Sequence, residues 1–169
     1  MIKHLIIDVD GTLTDGGVYY DSHGNELKKF NTKDGTGFFI AKAVGIRLIV
    51  LTSRECEATL RRMTELKTDI VCQNVKDKAA WLRNYMAESN LPKSEIGYIG
   101  DDINDLPPMR LCGFVGCPAD ACKEVKAIAN YVSSVNGGYG AVRDCIEYLL
   151  AESDTWSKYA EQVYGNIGI

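Results

Sequence analysis

The chain has 169 residues, 46% of them hydrophobic and 25% charged, the size and balance of a single globular domain. Its net charge of −4 argues against a nucleic-acid partner, which would ask for a basic face. No run nears the roughly 18–20 apolar residues of a membrane span, and the start lacks a basic segment followed by a long apolar one, so the expected location is the cytoplasm, away from membranes. Six cysteines form no CxxC pair and only His4 and His23 could join them, which discounts a zinc site.

In chain order, "HLIIDV" (4–9) reads as a buried strand that runs into Asp8 and Asp10 and breaks at Gly11. Residues 18–30 place "VYY" and "ELKKF" around the turn-forming "DSHGN", the pattern of a β-hairpin. A helix is expected at about 36–44, a strand at 46–52 ending in Thr52 and Ser53, and a helix at 54–67. Strand 69–73, helix 77–89 with Lys78 at its start, and strand 96–101 follow. Then come helix 103–111, strand 113–118, helix 120–128, strand 130–134 and helix 140–151. The tail, about 152–169, carries Trp156, Tyr159 and Tyr164 and suggests a short helix docked on the body or on a neighbour. Apolar strands alternating with helices predict an α/β fold, an open doubly wound parallel sheet forming one domain over residues 1–169.

Ligands of such sheets bind beyond the carboxyl ends of the strands. Three polar sets are expected on that edge: Asp8 with Asp10, Thr52 with Ser53, and the carboxylates of "GDDIND" (100–105). On a regular strand Asp8 and Asp10 would point the same way and repel, unless a cation lay between them. A hard ion such as Mg²⁺ prefers oxygen ligands, so a metal between Asp8 and Asp101 or Asp102 fits the spacing. Either motif alone would equally suit turn chemistry. Thr52 and Ser53 precede a helix, where a hydroxyl and free N–H groups hold an anion. Lys78 would add a compact cation toward phosphoryl oxygens.

The ordered set "DVDGTLTD", "VLTS", Lys78 and "GDDIND" resembles the four motifs of the haloacid dehalogenase superfamily of phosphotransferases, over residues 3 to about 150. The resemblance implies a Mg²⁺-dependent phosphatase. In it Asp8 is the nucleophile that becomes an aspartyl-phosphate. Asp10 is general acid, then base, with its carbonyl on the metal. Thr52 and Lys78 bind the phosphoryl oxygens, Asp101 ligates Mg²⁺, and Asp102 and Asp105 support the metal shell or orient Lys78.

The segments available for a cap domain hold only a hairpin and one helix with one strand, so the chain looks capless. "TDGGVYYDSHGNELKKFNTKDGTG", "LTSRECEATLRR" and "GGYGAVRD" are similar to the capless sugar-acid phosphatases, nearest to those acting on 3-deoxy-D-manno-octulosonate 8-phosphate. That resemblance implies a phosphorylated 2-keto-3-deoxy sugar acid as substrate and a homotetramer built through the hairpin. It places Gly137, Gly138, Gly140 and Arg143 in a glycine-rich segment near the site. Thr32, Ser53, Arg54 and Arg62 become candidates for the substrate, the arginines for its carboxylate. Ser53 stands where glycine is usual. Three alternatives stay open: a nine-carbon acid 9-phosphate, a phosphatase of broad specificity, and a non-catalytic oligomerisation module like those attached to cytidylyltransferases.

Overall fold

The computed structural model describes residues 1–151 and 155–165. At the centre of its six-stranded sheet runs β1 (His4–Ile7), paired in parallel with β4 (Arg47–Leu51) on one side and β6 (Ile96–Ile99) on the other. β5 (Ile70–Cys72) extends the sheet beyond β4, and β7 (Phe114–Cys117) and β8 (Tyr131–Val132) extend it beyond β6, all in parallel. The chain thus winds outward from β1 in one direction, returns, and winds out in the other. The switch point falls at β1, where a ligand crevice is expected.

Successive strand side chains face opposite layers. Leu5 and Ile7 of β1, with Leu48 and Val50 of β4, face α1 (Thr32–Val44), α2 (Glu57–Glu65) and α6 (Ala141–Leu150) through Phe38, Ile40, Met63 and Ile146. Ile6, Ile49, Leu51 and Tyr98 face α3 (Lys78–Ser89), α4 (Leu106–Met109) and α5 (Lys123–Lys126) through Leu82, Met109 and Val125. Each fully buried Leu, Ile or Phe contributes about 1.5–3 kcal/mol to holding these layers together. α7 (Thr155–Tyr164) packs on α1 with Ala160 buried and Trp156 and Tyr159 against the same core. The tail helix therefore docks on the body; residues 152–154 and 166–169 of the expected tail lie outside the described residues.

The hairpin is present as β2 (Tyr19–Tyr20) and β3 (Glu26–Leu27), paired antiparallel as a separate two-stranded sheet. Asp21 closes its turn by accepting from the N–H groups of His23 and Asn25, both at 2.8 Å. Between β1 and α1 the chain makes only this hairpin, and between β4 and α3 only α2 and β5, so the described residues include no cap domain.

Several boundaries differ from expectation. β1 stops at Ile7 because the chain turns through Val9–Leu13, with Gly11 in the left-handed region at φ 88°. α1 begins at Thr32, ahead of residue 36; Asn31 caps it by accepting from the Lys33 N–H, and the weak helix propensity of Gly35 and Gly37 hid that first turn. α2 begins at Glu57, after a loop through residues 52–56. The helix expected at 103–111 divides into a 3-10 turn, Ile103–Asp105, and the short α4, whose first turn holds Pro107 and Pro108. α5 is one turn long, within the expected 120–128.

Candidate active site

Carrying the β1 register one residue further sets Asp8 beside Leu51 and Gly100, and its N–H bonds the Ile99 carbonyl at 2.9 Å. Asp8 therefore stands at the very centre of the strand ends. Lys78, the first residue of α3, reaches it from the layer that Ile6 faces: its Nζ donates to Asp8 Oδ1 at 2.6 Å and to Asp105 Oδ1 at 2.7 Å. All three side chains are buried. Asp77 aims this lysine by capping α3, accepting from the Ala80 N–H at 2.8 Å.

Asp105 is fully engaged. Its Oδ1 also accepts from the Tyr98 hydroxyl at 2.8 Å, and its Oδ2 accepts from the main-chain N–H of Asp101 at 3.1 Å and of Asp102 at 3.5 Å. It thus orients Lys78 and shapes the loop that presents Asp101. Asp102 turns outward instead, capping the 3-10 turn through a bond from the Ile103 N–H.

Asp101 accepts from the Thr12 hydroxyl at 2.9 Å and lies across Gly11, where a Cβ would stand 2.1 Å from its Oδ2. A side chain there would displace the Asp101 carboxylate, and the φ of 88° already favours glycine. Oxygens of Asp8, Asp101 and Asp105 gather within 4.8 Å of one another, a group able to hold a metal ion. Such crowding has an electrostatic cost. Burial, reinforced by the Asp105 charge, raises the Asp101 carboxyl to about 7. Burial and the charge of Asp105 also raise Asp8 well above the ordinary carboxylate range, against the pull of Lys78. Burial works to strip the Lys78 proton, but Asp8 and Asp105 outweigh it and hold that proton above the ordinary lysine value.

Asp10 departs from the strand geometry expected of it. The turn after Asp8 sends its side chain away from the Lys78 centre, toward the hairpin. There Lys28 Nζ donates to Asp10 Oδ1, and the Thr52 hydroxyl donates to Oδ2 at 3.4 Å. Lys28 also meets Glu26 at 3.1 Å, and Glu26 meets Arg54 Nη2 at 2.9 Å. Sequence reasoning missed Lys28 and Glu26. Both sit in a hairpin that looked peripheral, and nothing in "ELKKF" says which lysine turns inward.

The remaining candidates divide. The Ser53 hydroxyl donates to the Val75 carbonyl at 3.0 Å, closing the loop after β4. Arg62 pairs with Glu65 at 3.2 Å on its own helix. Arg143 pairs with Glu147 at 2.7 Å and lies over the Trp156 ring, 5.3 Å from its centre. Thr32 is exposed at the start of α1. Among the described residues, no hydrogen bond or ion pair links Thr32, Arg62 or Arg143 to the carboxylate centre.

The glycine loop does reach the centre. The Gly138 N–H bonds the Thr12 carbonyl at 3.2 Å, and a Cβ on Gly137 would fall 1.8 Å from the Gly11 carbonyl oxygen. Gly140 precedes α6 in a left-handed conformation, so that helix lacks a side-chain cap of its own residue.

An aspartate at the switch point, a buried lysine bound to it, a hydroxyl at the next strand end and a carboxylate group fit for a metal suit a hydrolase of phosphate esters. The chain is a phosphatase and belongs to the haloacid dehalogenase-like hydrolases, whose sequence pattern matches residues 69–146. Its relatives are specific. The 3-deoxy-D-manno-octulosonate 8-phosphate phosphatase of Haemophilus influenzae is 34% identical over 149 residues, covering 88% of this chain and 83% of that one. The crystal structure of the Moraxella catarrhalis enzyme of that name, in complex with magnesium, phosphate and KDO, superposes with a TM-score of 0.90 at 33% identity, covering 96% and 93% of the two chains. The Yersinia pestis enzyme superposes with a TM-score of 0.87 at 33% identity, over 92% and 84%.

Proposed function

We propose that this phosphatase removes the terminal phosphate of a 2-keto-3-deoxy sugar acid, 3-deoxy-D-manno-octulosonate 8-phosphate, through an aspartyl-phosphate on Asp8. The observation that carries the reading is the Asp8–Lys78–Asp105 contact at the switch point, with Asp101 completing the carboxylate group. The similarity to enzymes of that named activity supports the substrate.

The donor set suits Mg²⁺: the ligands are hard oxygens, and the raised Asp8 and Asp101 carboxyls are what a site built for a cation shows without one. Asp8 and Asp101 would hold the ion, with the Asp10 carbonyl as the family resemblance implies. Bound there, it neutralises charge on the phosphoryl oxygens.

The chain's own groups do the rest. An Asp8 oxygen attacks phosphorus; the bond to the sugar oxygen breaks, and that oxygen keeps the electron pair and takes the Asp10 proton. Water then attacks phosphorus, gives its proton to Asp10, and releases inorganic phosphate as the bond to Asp8 breaks. Splitting the displacement in two lowers each barrier, and Asp10 serves both halves. Lys78 holds Asp8 in place and offers positive charge to the phosphoryl oxygens, while the Thr52 hydroxyl lies beside Asp10 to steady them. Arg54, partly exposed and gripped at one end by Glu26, is assigned to the substrate carboxylate.

Val18, Tyr19, Tyr20 and Leu27 leave the hairpin with exposed apolar side chains, and we assign it to assembly with other copies, as a tetramer. Release of phosphate in the presence of Mg²⁺ tests the whole reading. The octulosonate phosphate should be strongly preferred over a nine-carbon acid 9-phosphate and a plain sugar phosphate, with none released by Asp8→Asn. Preference for the nine-carbon acid would move the substrate and keep the chemistry. Comparable rates on all three would mark a broad phosphatase, and no release from any would leave a non-catalytic module.

A further inference from the structure

We infer that Lys28 is a positioning residue for Asp10: the hairpin carries its ammonium into the site, where it fixes the carboxylate that handles the proton. The inference rests on the role of Asp10 given above.

Asp10 lies in the turn beyond β1 and its side chain is partly exposed. Its bond from Thr52, at 3.4 Å, is long and weak. Left to that bond, the carboxylate could rotate between solvent and substrate. Lys28 supplies the second anchor. Its side chain is 1% exposed, so its charge persists only by facing anions, and those are Asp10 and Glu26. Glu26 is itself held by Arg54. The run Asp10–Lys28–Glu26–Arg54 thus fixes Lys28 from behind and Asp10 from in front.

A plainer role is possible for the same contact: pinning the hairpin to the body. That role would lower stability and slow every substrate alike. Positioning of the proton-handling group acts selectively. It matters when the departing oxygen is an alkoxide, which must be protonated, and little when it is p-nitrophenolate, a stable anion.

The test measures the first turnover of Lys28→Met and Lys28→Gln, with magnesium, on the sugar-acid phosphate and on p-nitrophenyl phosphate, beside Asp10→Asn. Asp10→Asn should lose alcohol release from the sugar substrate and keep the first-turnover release of p-nitrophenolate. Lys28→Met should show the same asymmetry, with about tenfold or greater loss on the sugar substrate alone. Lys28→Gln, which can still donate to Asp10, should recover part of it. Lys28→Gln carries the test if the Met variant does not fold. Equal losses on both substrates in the Lys28 variants, or none, would overturn the inference while leaving Asp10 in its role. A symmetric loss in Asp10→Asn would overturn the role of Asp10 itself, and the inference with it.

Discussion

The carboxylate of Asp34, on α1, accepts a hydrogen bond from the main-chain N–H of Arg143 at 2.9 Å, in the first turn of α6. It supplies from a neighbouring helix the cap that Gly140 cannot. Its other oxygen is buried without a partner among the described residues.

This arrangement makes the fold sensitive to pH. Burial raises the Asp34 carboxyl from 3.8 to about 6, the α6 N–H groups only partly offsetting it. Between those values the folded protein binds the proton more tightly than the unfolded chain, so stability falls as pH rises through the window. The full effect is of order 3 kcal/mol at about 1.4 kcal/mol per unit. Chemical denaturation at pH 4.5 and pH 7 should show this downward slope, and Asp34→Asn should flatten it.

Gly137 touches the turn after Asp10, and Gly24 at the hairpin tip touches nothing within 4 Å of where its Cβ would be. Gly137→Ala is therefore expected to lower stability by about 1–3 kcal/mol through overpacking and to reduce phosphatase activity as the turn shifts. Gly24→Ala, strained only by its positive φ, should cost roughly 1 kcal/mol and leave activity near normal. Thermal melts and phosphate release on the pair distinguish the two kinds of glycine.

Lys78→Met removes the cation that bonds both Asp8 and Asp105. Breaking a buried pair by deleting one partner typically costs about 3–5 kcal/mol, and activity should fall below detection. Asp105→Asn keeps the shape but weakens the hold on Lys78 and the Asp101 loop. It should retain a small residual rate and show weaker Mg²⁺ dependence in a metal titration.

Mg²⁺ should stabilise the folded protein by mass action, by about 2.7 kcal/mol at one hundred times its dissociation constant. Protons compete for the same oxygens. With Asp101 titrating at about 7, the rise in Tm on adding Mg²⁺ should be larger at pH 8 than at pH 6. It should vanish in Asp101→Asn; an equal rise at both pH values in that variant would remove Asp101 from the metal site.

Much of this was readable in advance. Asp8, Asp101 and Lys78 lie at the ends of strongly apolar strands or at a helix start, where local pattern fixes position. The direction of Asp10 was not readable, because the chain already leaves the extended conformation at Val9, in the turn that runs to Leu13, and so breaks the strand rule that would have aligned it with Asp8. Nor was Lys28, whose burial depends on how a short ribbon folds back over the sheet edge. Nor were the partners of Arg62 and Arg143 readable: each pairs with an acidic residue on its own helix, at i+3 or i+4, which spacing alone does not weigh against a ligand.

Every candidate reacting residue, from Asp8 to Asp105, lies in the first two-thirds of the chain, yet the turn behind Asp10 is braced by Gly137 and Gly138. A ribosome-bound chain that has emerged only through α4 thus displays the complete reacting set without the backing that aligns it. Hydrolytic competence arrives late in synthesis, with the last crossover, and a proteolytic cut between α5 and α6 should extinguish it while leaving each of those residues intact.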